Sequence, residues 1–442
     1  MSISRKEFIG ASGALLATFS GCASSKSSEP EKKVSIQGFD EEVAQYLTKD
    51  NRIWQPFSDK KVRVGIAGEG ICDFGSAFGY QDHPNVEVVA CAELDSNKLK
   101  VLQQRVRAKR AYKSCEDMIK AEAKAGTMDA VYIATDAVSH IRLAIMALEH
   151  GMHVTSAVPA FFGKDQLQEI PKLIEAAKRS GKIYMMNETT AFRPQCYAMR
   201  KLYKAGYLGE ITYSEGEYFH PGSNNLASKG LGSYGGWRTG MPPQYYPTHS
   251  NGYYTCVTHK RFTEVTCRGV ASLKHVYSKG NRYNNPYGSE YAMMKCEDGS
   301  SARMLVAWDT PSYGAEAGRI WGQKGCFVPE STGYKDLAHW SPNDKSYSTV
   351  LSSGYNGWFM DEVKKMDLTM PPLPKAMQKA RYANHHGGSH GYLTDDFIRA
   401  ILLKDHKVCC DLICALNTTI AGVYAHMSAM KDGEILKIPS VV

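Results

Sequence analysis

At 442 residues the chain is long enough for two or three domains. Its 43% hydrophobic and 22% charged residues are the balance of a soluble globular protein, which excludes a disordered or membrane-embedded chain. The net charge of +8 is spread without a long basic run, so it reads as solvated surface and no nucleic-acid partner is expected.

The N-terminus has a basic start, a short apolar stretch from Phe8 to Phe19, and a polar tail. The apolar stretch is too short and too rich in Gly and Ala to span a bilayer, and reads as an export signal. Phe19-Ser20-Gly21-Cys22 resembles a lipoprotein processing site, in which the cysteine takes lipid. SRKEF resembles a twin-arginine signal with Lys6 in place of the second arginine. The expectation is a signal over 1–22, lipidation at Cys22, and an exported protein anchored by lipid in the periplasm or cell envelope. Residues 23–60 read as a polar linker and a leading helix.

Regular alternation starts at Lys61. KVRVGIAG, VEVVACAEL, DAVYIATD, HVTSAV and KIYMMNET read as strands, and IRLAIMALEHG and DQLQEIPKLIEAAKRSG as helices. Strands alternating with helices predict an α/β domain over 61–190, a Rossmann-type doubly wound parallel sheet. After residue 190 the texture changes. A helix, QCYAMRKLYKAGYLG, leads into the strand-like ITYSEGEYFH and a Gly/Tyr/Pro-rich segment over 220–255. Strand-like runs follow over 261–271, in a hairpin around Asp298-Gly299, and over 318–328. They predict an α+β domain over 191–442 with an open, mainly antiparallel sheet. Residues 330–385 read as loop. FIRAILLKD and the stretch after Cys409 read as helices, the first started by Asp395 or Asp396. None of the twelve cysteines form CxxC pairs, and most lie in apolar runs. They read as buried small hydrophobes, and no metal is expected.

The first strand runs into Gly68-Glu69-Gly70. Gly68 permits a tight strand-to-helix turn, and Gly70 lets backbone approach a pyrophosphate. Asp73 replaces the third glycine of GxGxxG, and Gly75 comes two residues late. The second strand ends in Glu93 and Asp95, where an acid hydrogen-bonds the adenosine ribose. Glu93 directly ends the apolar run and is the better candidate. An acid there favours NAD over NADP.

DAVYIATDAVSHIRLAIMALEHGMHVTSAVPA resembles the Gfo/Idh/MocA oxidoreductases, which show DAVxIATP, a His and a helix, then HVxxEKP. Asp129–Thr135, His140, Gly151 and His153-Val154 match. The resemblance implies NAD contacts at Thr135, His140 and Pro159, a second domain with an open antiparallel sheet, a homo-oligomer, and chemistry on sugar or cyclitol hydroxyls. In that family the EKP lysine helps polarise the reacting group. Here those positions are Ala157, Val158 and Pro159, and valine neither donates a hydrogen bond nor accepts a proton.

QYYPTHSNG sets Tyr246 and His249 three apart around Pro247. An imidazole titrates near neutrality and suits proton transfer in such a loop. This stretch, with the VP replacement and Met185-Met186-Asn187-Glu188, resembles the NAD-dependent glycosidases of glycoside hydrolase family 109, which implies catalytic roles for Tyr246 and His249. Glu188 and Arg193 follow the sixth strand, where ligand groups gather, and are candidate substrate contacts with His390. His385, His386 and His390 lack regular metal-ligand spacing. The expected function is NAD-dependent hydride exchange at a sugar or glycoside hydroxyl. The alternatives are redox-neutral glycoside cleavage and a sugar-binding lipoprotein without turnover.

Overall fold

The computed structural model describes residues 53–70, 73–220, 237–272, 281–310, 315–328, 368–378 and 386–441. The expected signal, Cys22, most of the linker and leading helix, and His385 lie outside the described residues. The first half folds in the order β1 (Val62–Ala67), α1 (Phe74–Ala77), β2 (Val86–Ala92), α2 (Ser96–Val106), β3 (Arg110–Tyr112), α3 (Cys115–Ala125), β4 (Ala130–Ile133), α4 (His140–Glu149), β5 (His153–Ser156), α5 (Ile170–Ser180) and β6 (Tyr184–Met186). These strands form one parallel sheet in the order β3-β2-β1-β4-β5-β6. The order reverses between β1 and β4, which opens a crevice at the carboxyl ends of the strands. Helices cover the sheet, so its central strands are near-continuous apolar runs: all four residues of β4 are buried. Asp95 caps α2, its side chain accepting from the Asn97 and Lys98 amides.

The second half adds α6 (Pro194–Lys204), β7 (Ile211–Phe219), α7 (Thr248–Thr258), β8 (Phe262–Ala271), β9 (Tyr287–Cys296), β10 (Ser301–Ala307), β11 (Ala315–Gly322), β12 (Cys326–Phe327), α8 (Ser389–Leu402), α9 (Leu412–Ala429) and β13 (Leu436–Lys437). Its seven-stranded sheet runs β12-β11-β7-β10-β9-β8-β13. All pairs are antiparallel except β10 with β7. The turn between β9 and β10 holds Asp298-Gly299, with Gly299 at φ 86°. Among the described residues α9 alone is long and apolar enough to cross a membrane, yet 78% of it is buried inside the fold. It packs on β8 and α7 as a core helix.

Two expectations are corrected. The YPTHS stretch is no loop: His249 is the second residue of α7, whose eleven residues are all buried. A helix enclosed on every side has no polar face, so its sequence lacks amphipathic periodicity. Nor do Asp395 and Asp396 start a helix, for α8 begins at Ser389 and both lie inside it, buried. Asp395 accepts from Trp54 Nε1 (2.9 Å) and pairs with Arg399 (2.6 Å) and His83 (3.1 Å). It thereby ties α8 to the segment before β1 and to the loop ahead of β2.

Burial raises the cost of charging Asp395, but Arg399 and His83 outweigh it and hold the carboxyl down at about 2. The stabilisation is therefore full above the unfolded value of about 4 and is lost as pH falls toward 2. Asp395→Asn is expected to cost about 3 kcal/mol at neutral pH, read as a lower urea midpoint with unchanged slope, and to narrow its deficit as the medium is acidified.

Candidate active site

A cavity of about 420 Å³ opens at the strand ends where the sheet order reverses. Gly68, Gly70, Glu93, Thr135 and His140 line it, together with Ala134, Asp136, Ala157, Val158, Trp237, Arg238 and Tyr246. Gly68 has φ 88°, and a Cβ there would lie 2.6 Å from the Ala134 carbonyl oxygen. Only glycine fits a strand-to-helix turn packed this closely. The Glu93 carboxylate accepts from the Glu69 amide (2.9 Å) and the Asp95 amide (3.2 Å), so it fixes the glycine turn and still faces the cavity. Glu69 turns inward to Arg105 (2.7 Å) and Ser76 (2.9 Å). Burial raises its pKa, and Arg105 only partly offsets this.

Gly75 stands one layer behind the cavity. A Cβ there would meet the Gly68 carbonyl oxygen at 2.2 Å. The displaced glycine thus does the close helix–strand packing of the missing third glycine, while Asp73 caps α1 at φ 54° and pairs with Arg105 at 2.9 Å. The cradle that an added Cβ would fill, with an acid at the end of β2, fits an adenine dinucleotide. Pro159 also lies behind the lining. Its carbonyl oxygen is 2.8 Å from His140 Nδ1, and the Thr135 carbonyl oxygen is 3.0 Å from Nε2. His140 therefore clamps the β4 and β5 loops together at the cavity wall. The space beside Val158 and Ala157 is apolar, as their sequence requires.

The second domain closes one side. Trp237 Nε1 donates to Asp136 at 2.9 Å, and the Arg238 guanidinium stacks on Trp237 (4.3 Å) and Tyr246 (4.9 Å). The sequence reading missed both residues. Their signal is an aromatic–arginine pair just ahead of the tyrosine-rich PPQYYPTH. That stretch is pinned from below by Glu290, which accepts from the Gln244 amide (2.7 Å) and pairs with His426 (2.6 Å).

Tyr246 is the hinge between the cavity and a buried ionisable cluster. His249 lies 5.6 Å from its ring, with Tyr218 at 4.6 Å and His386 at 6.1 Å. Glu188, at the end of β6, sits 2.9 Å from His249 Nδ1 and also accepts from the Thr190 amide. Burial disfavours both charges, but each outweighs that for the other: Glu188 is pushed down to about 2 and His249 is raised above its ordinary value. Nε2 has no hydrogen-bond partner among the described residues. Burial pushes His386 the other way, down to about 4.

The substrate candidates divide. Glu188 is fully buried beneath His249 and faces it rather than the cavity. Arg193 makes a two-point pair with Glu316, which also accepts from Thr190 (2.7 Å). His390 is buried, stacked on Phe78 at 4.1 Å, with Nε2 3.0 Å from His386 Nδ1. None of the three lines the cavity.

Residues 62–188 match the family model described as "Oxidoreductase family, NAD-binding Rossmann fold". A glycosyl hydrolase family 109 protein of Porphyromonas gingivalis is 31% identical over 164 residues, 36% of this chain and 34% of that protein. An alpha-N-acetylgalactosaminidase of Bacteroides fragilis is 29% identical over 205 residues, 43% of this chain and 47% of that protein. The chain thus spans between a third and a half of these relatives. In fold it is similar to the WlbA dehydrogenase of Bordetella pertussis, solved with NADH and UDP-GlcNAcA (TM-score 0.64, 17% identity, 87% and 99% of the two chains). It is likewise similar to a scyllo-inositol dehydrogenase of Lactobacillus casei, solved with NAD(H) and scyllo-inositol (TM-score 0.60, 16% identity, 86% and 99%).

Gly75→Ala is expected to weaken NAD binding at least tenfold, because the methyl group must displace the Gly68 carbonyl. Titration calorimetry with NAD checks this. An unchanged affinity shows that the turn tolerates the shift.

Proposed function

We propose, from the match of residues 62–188 to the Gfo/Idh/MocA oxidoreductase model with its NAD-binding Rossmann fold, that the chain is an NAD-dependent enzyme of that family acting on a hydroxyl of a sugar or glycoside, with His249 as proton acceptor. NAD, when bound, supplies a hydride acceptor at its nicotinamide. The chain's own residues handle the proton. Neutral His249 takes it from the substrate hydroxyl at Nε2, and Glu188 stabilises the imidazolium that forms, so an ammonium at position 158 is not required. Tyr246, shared by the cavity and the His249 cluster, orients the hydroxyl. Arg193 and Glu316 hold Thr190, and with it the loop that carries Glu188. The observation that carries this reading is the buried Glu188–His249 pair, one aromatic ring away from the dinucleotide cavity.

A second reading is redox-neutral glycoside cleavage, supported by the relatives named as family 109 hydrolases and as an alpha-N-acetylgalactosaminidase. A carbonyl at the oxidised carbon acidifies the neighbouring C–H, a base removes that proton, and the glycosidic substituent departs; water then adds across the double bond and the carbonyl takes its hydride back, so the sugar leaves hydrolysed and the dinucleotide ends oxidised. Such a cycle suits an exported, Cys22-lipidated protein without a free dinucleotide supply. Export, lipidation and a homo-oligomer complete the proposal. Product analysis separates the two: a keto-sugar with reduced dinucleotide, or a released aglycone with none in excess.

His249→Ala is expected to lower turnover by roughly 10³-fold with NAD affinity unchanged. Full turnover in this variant overturns the assignment, and sugar binding with no turnover in the parent protein marks a binding module instead.

The raised pKa of His249 has a signed consequence. The base exists only above that value, so the rate should climb with pH through a midpoint on the alkaline side of a free imidazole's. In Glu188→Gln the main counter-charge is gone, and burial outweighs the smaller pull of Glu316. The midpoint should then move to acid, with a loss of roughly 10²-fold in the plateau. A pH–rate profile of both proteins reads this directly.

A further inference from the structure

Beneath the His249 helix, three thiols from two segments converge. The Sγ atoms of Cys256 on α7, Cys410 just ahead of α9, and Cys414 in the first turn of α9 lie within 4.8 Å of one another, all buried. Among the ten described cysteines no other three meet this way. Three sulfurs bound to one cation at about 2.3 Å stand roughly 3.8 Å apart, so closing the triad takes a shift of about 1 Å. Arg200 is fully buried on α6, its Nη1 3.5 Å from the Cys256 carbonyl oxygen, so a positive charge stands beside the triad. The Thr418 hydroxyl, 4.0 Å from Cys414 Sγ, stands at the open side.

We propose that Cys256, Cys410 and Cys414 bind one Zn²⁺ ion, with the Thr418 hydroxyl or a water in the fourth position. Thiolates are the ligands that soft and borderline cations prefer. On binding, three S–H bonds give way to three S–Zn bonds and three protons leave to solvent. The three negative charges and the ion's two positive charges leave one negative charge, which Arg200 balances. That balance selects a divalent over a monovalent ion. The ion joins α7 to the start of α9, two helical turns below His249, and so steadies the helix that carries the imidazole without touching the reacting atoms.

The test uses the full chain, produced with zinc in the medium and purified under reductant. Elemental analysis should find about one zinc per chain, and X-ray absorption should show three sulfur neighbours at about 2.3 Å. Cys414→Ser should lose the metal, while Cys91→Ser, at a lone buried thiol in β2, should keep it. X-ray absorption needs no variant, so the proposal stays testable if Cys414→Ser fails to fold. A zinc-free protein overturns it, as does zinc retained without sulfur neighbours, or an intact mass two hydrogens short with a disulfide mapped among the three cysteines. None of these outcomes bears on His249, whose turnover test is separate.

Discussion

A carboxylate sealed from water keeps its charge only where a partner offsets the burial, and the core between the two sheets is organised around one such pair. Glu188 comes from the last strand of the parallel sheet, and His249 from a helix seated on the antiparallel sheet. Their 2.9 Å contact requires both domains to be in register. The partners around them serve that register. Thr190 and Arg193 meet Glu316 from β11, Glu290 holds the backbone ahead of α7, and Asn251 donates to the Thr418 carbonyl on α9 at 2.9 Å. Breaking one member of such a buried set leaves an uncompensated charge, which costs far more than a surface pair is worth.

The loss of the family lysine reads differently in this setting. An ammonium beside a nicotinamide has to be kept charged in an apolar wall. A valine at 158 removes that burden, and the wall beside Ala157 becomes purely apolar. The titratable group lies across the cavity's edge, behind Tyr246, with a dedicated counter-ion. With His249 as the proposed proton acceptor, the proton-handling group and the cavity wall at Val158 are separate, whereas a lysine in the wall would combine them. His386 shares the His249 neighbourhood but has no carboxylate at hydrogen-bonding distance, and burial leaves it neutral. Two histidines 6.1 Å apart are therefore shifted in opposite directions, because only one has an acid against it.

Much of this was legible beforehand, for definite reasons. Parallel strands covered on both faces are largely apolar runs, so β1, β2, β4, β5 and β6 announce themselves, and the hairpin at Asp298-Gly299 carries its turn in two residues. The lining positions Gly68, Gly70 and Glu93 were recoverable from the glycine turn and a strand end, and Thr135 and His140 from the family resemblance. Gly75 and Pro159 were singled out as well, but they act from behind the lining. What failed to show was anything set by enclosure. The helix α7 has polar and aromatic residues on every side, because every side meets protein. Asp395 and Asp396 look like helix starters in sequence and are interior charges in space. Glu188 sits at a strand end, where ligands gather, yet its partner is sixty-one residues away in sequence. No periodicity encodes such a pairing. Trp237 and Arg238 fall in a Gly-rich stretch without period, and their place at the cavity edge follows from one long-range bond to Asp136.

That bond has a kinetic meaning. The indole of Trp237 crosses from the antiparallel-sheet domain to the rim of the β4 loop, so the mouth of the nucleotide cleft is fastened by a group that belongs to neither its floor nor its back wall. A molecule lodged beneath such a fastening departs at the rate the fastening comes undone. Its dwell time is therefore decoupled from the strength of its own contacts.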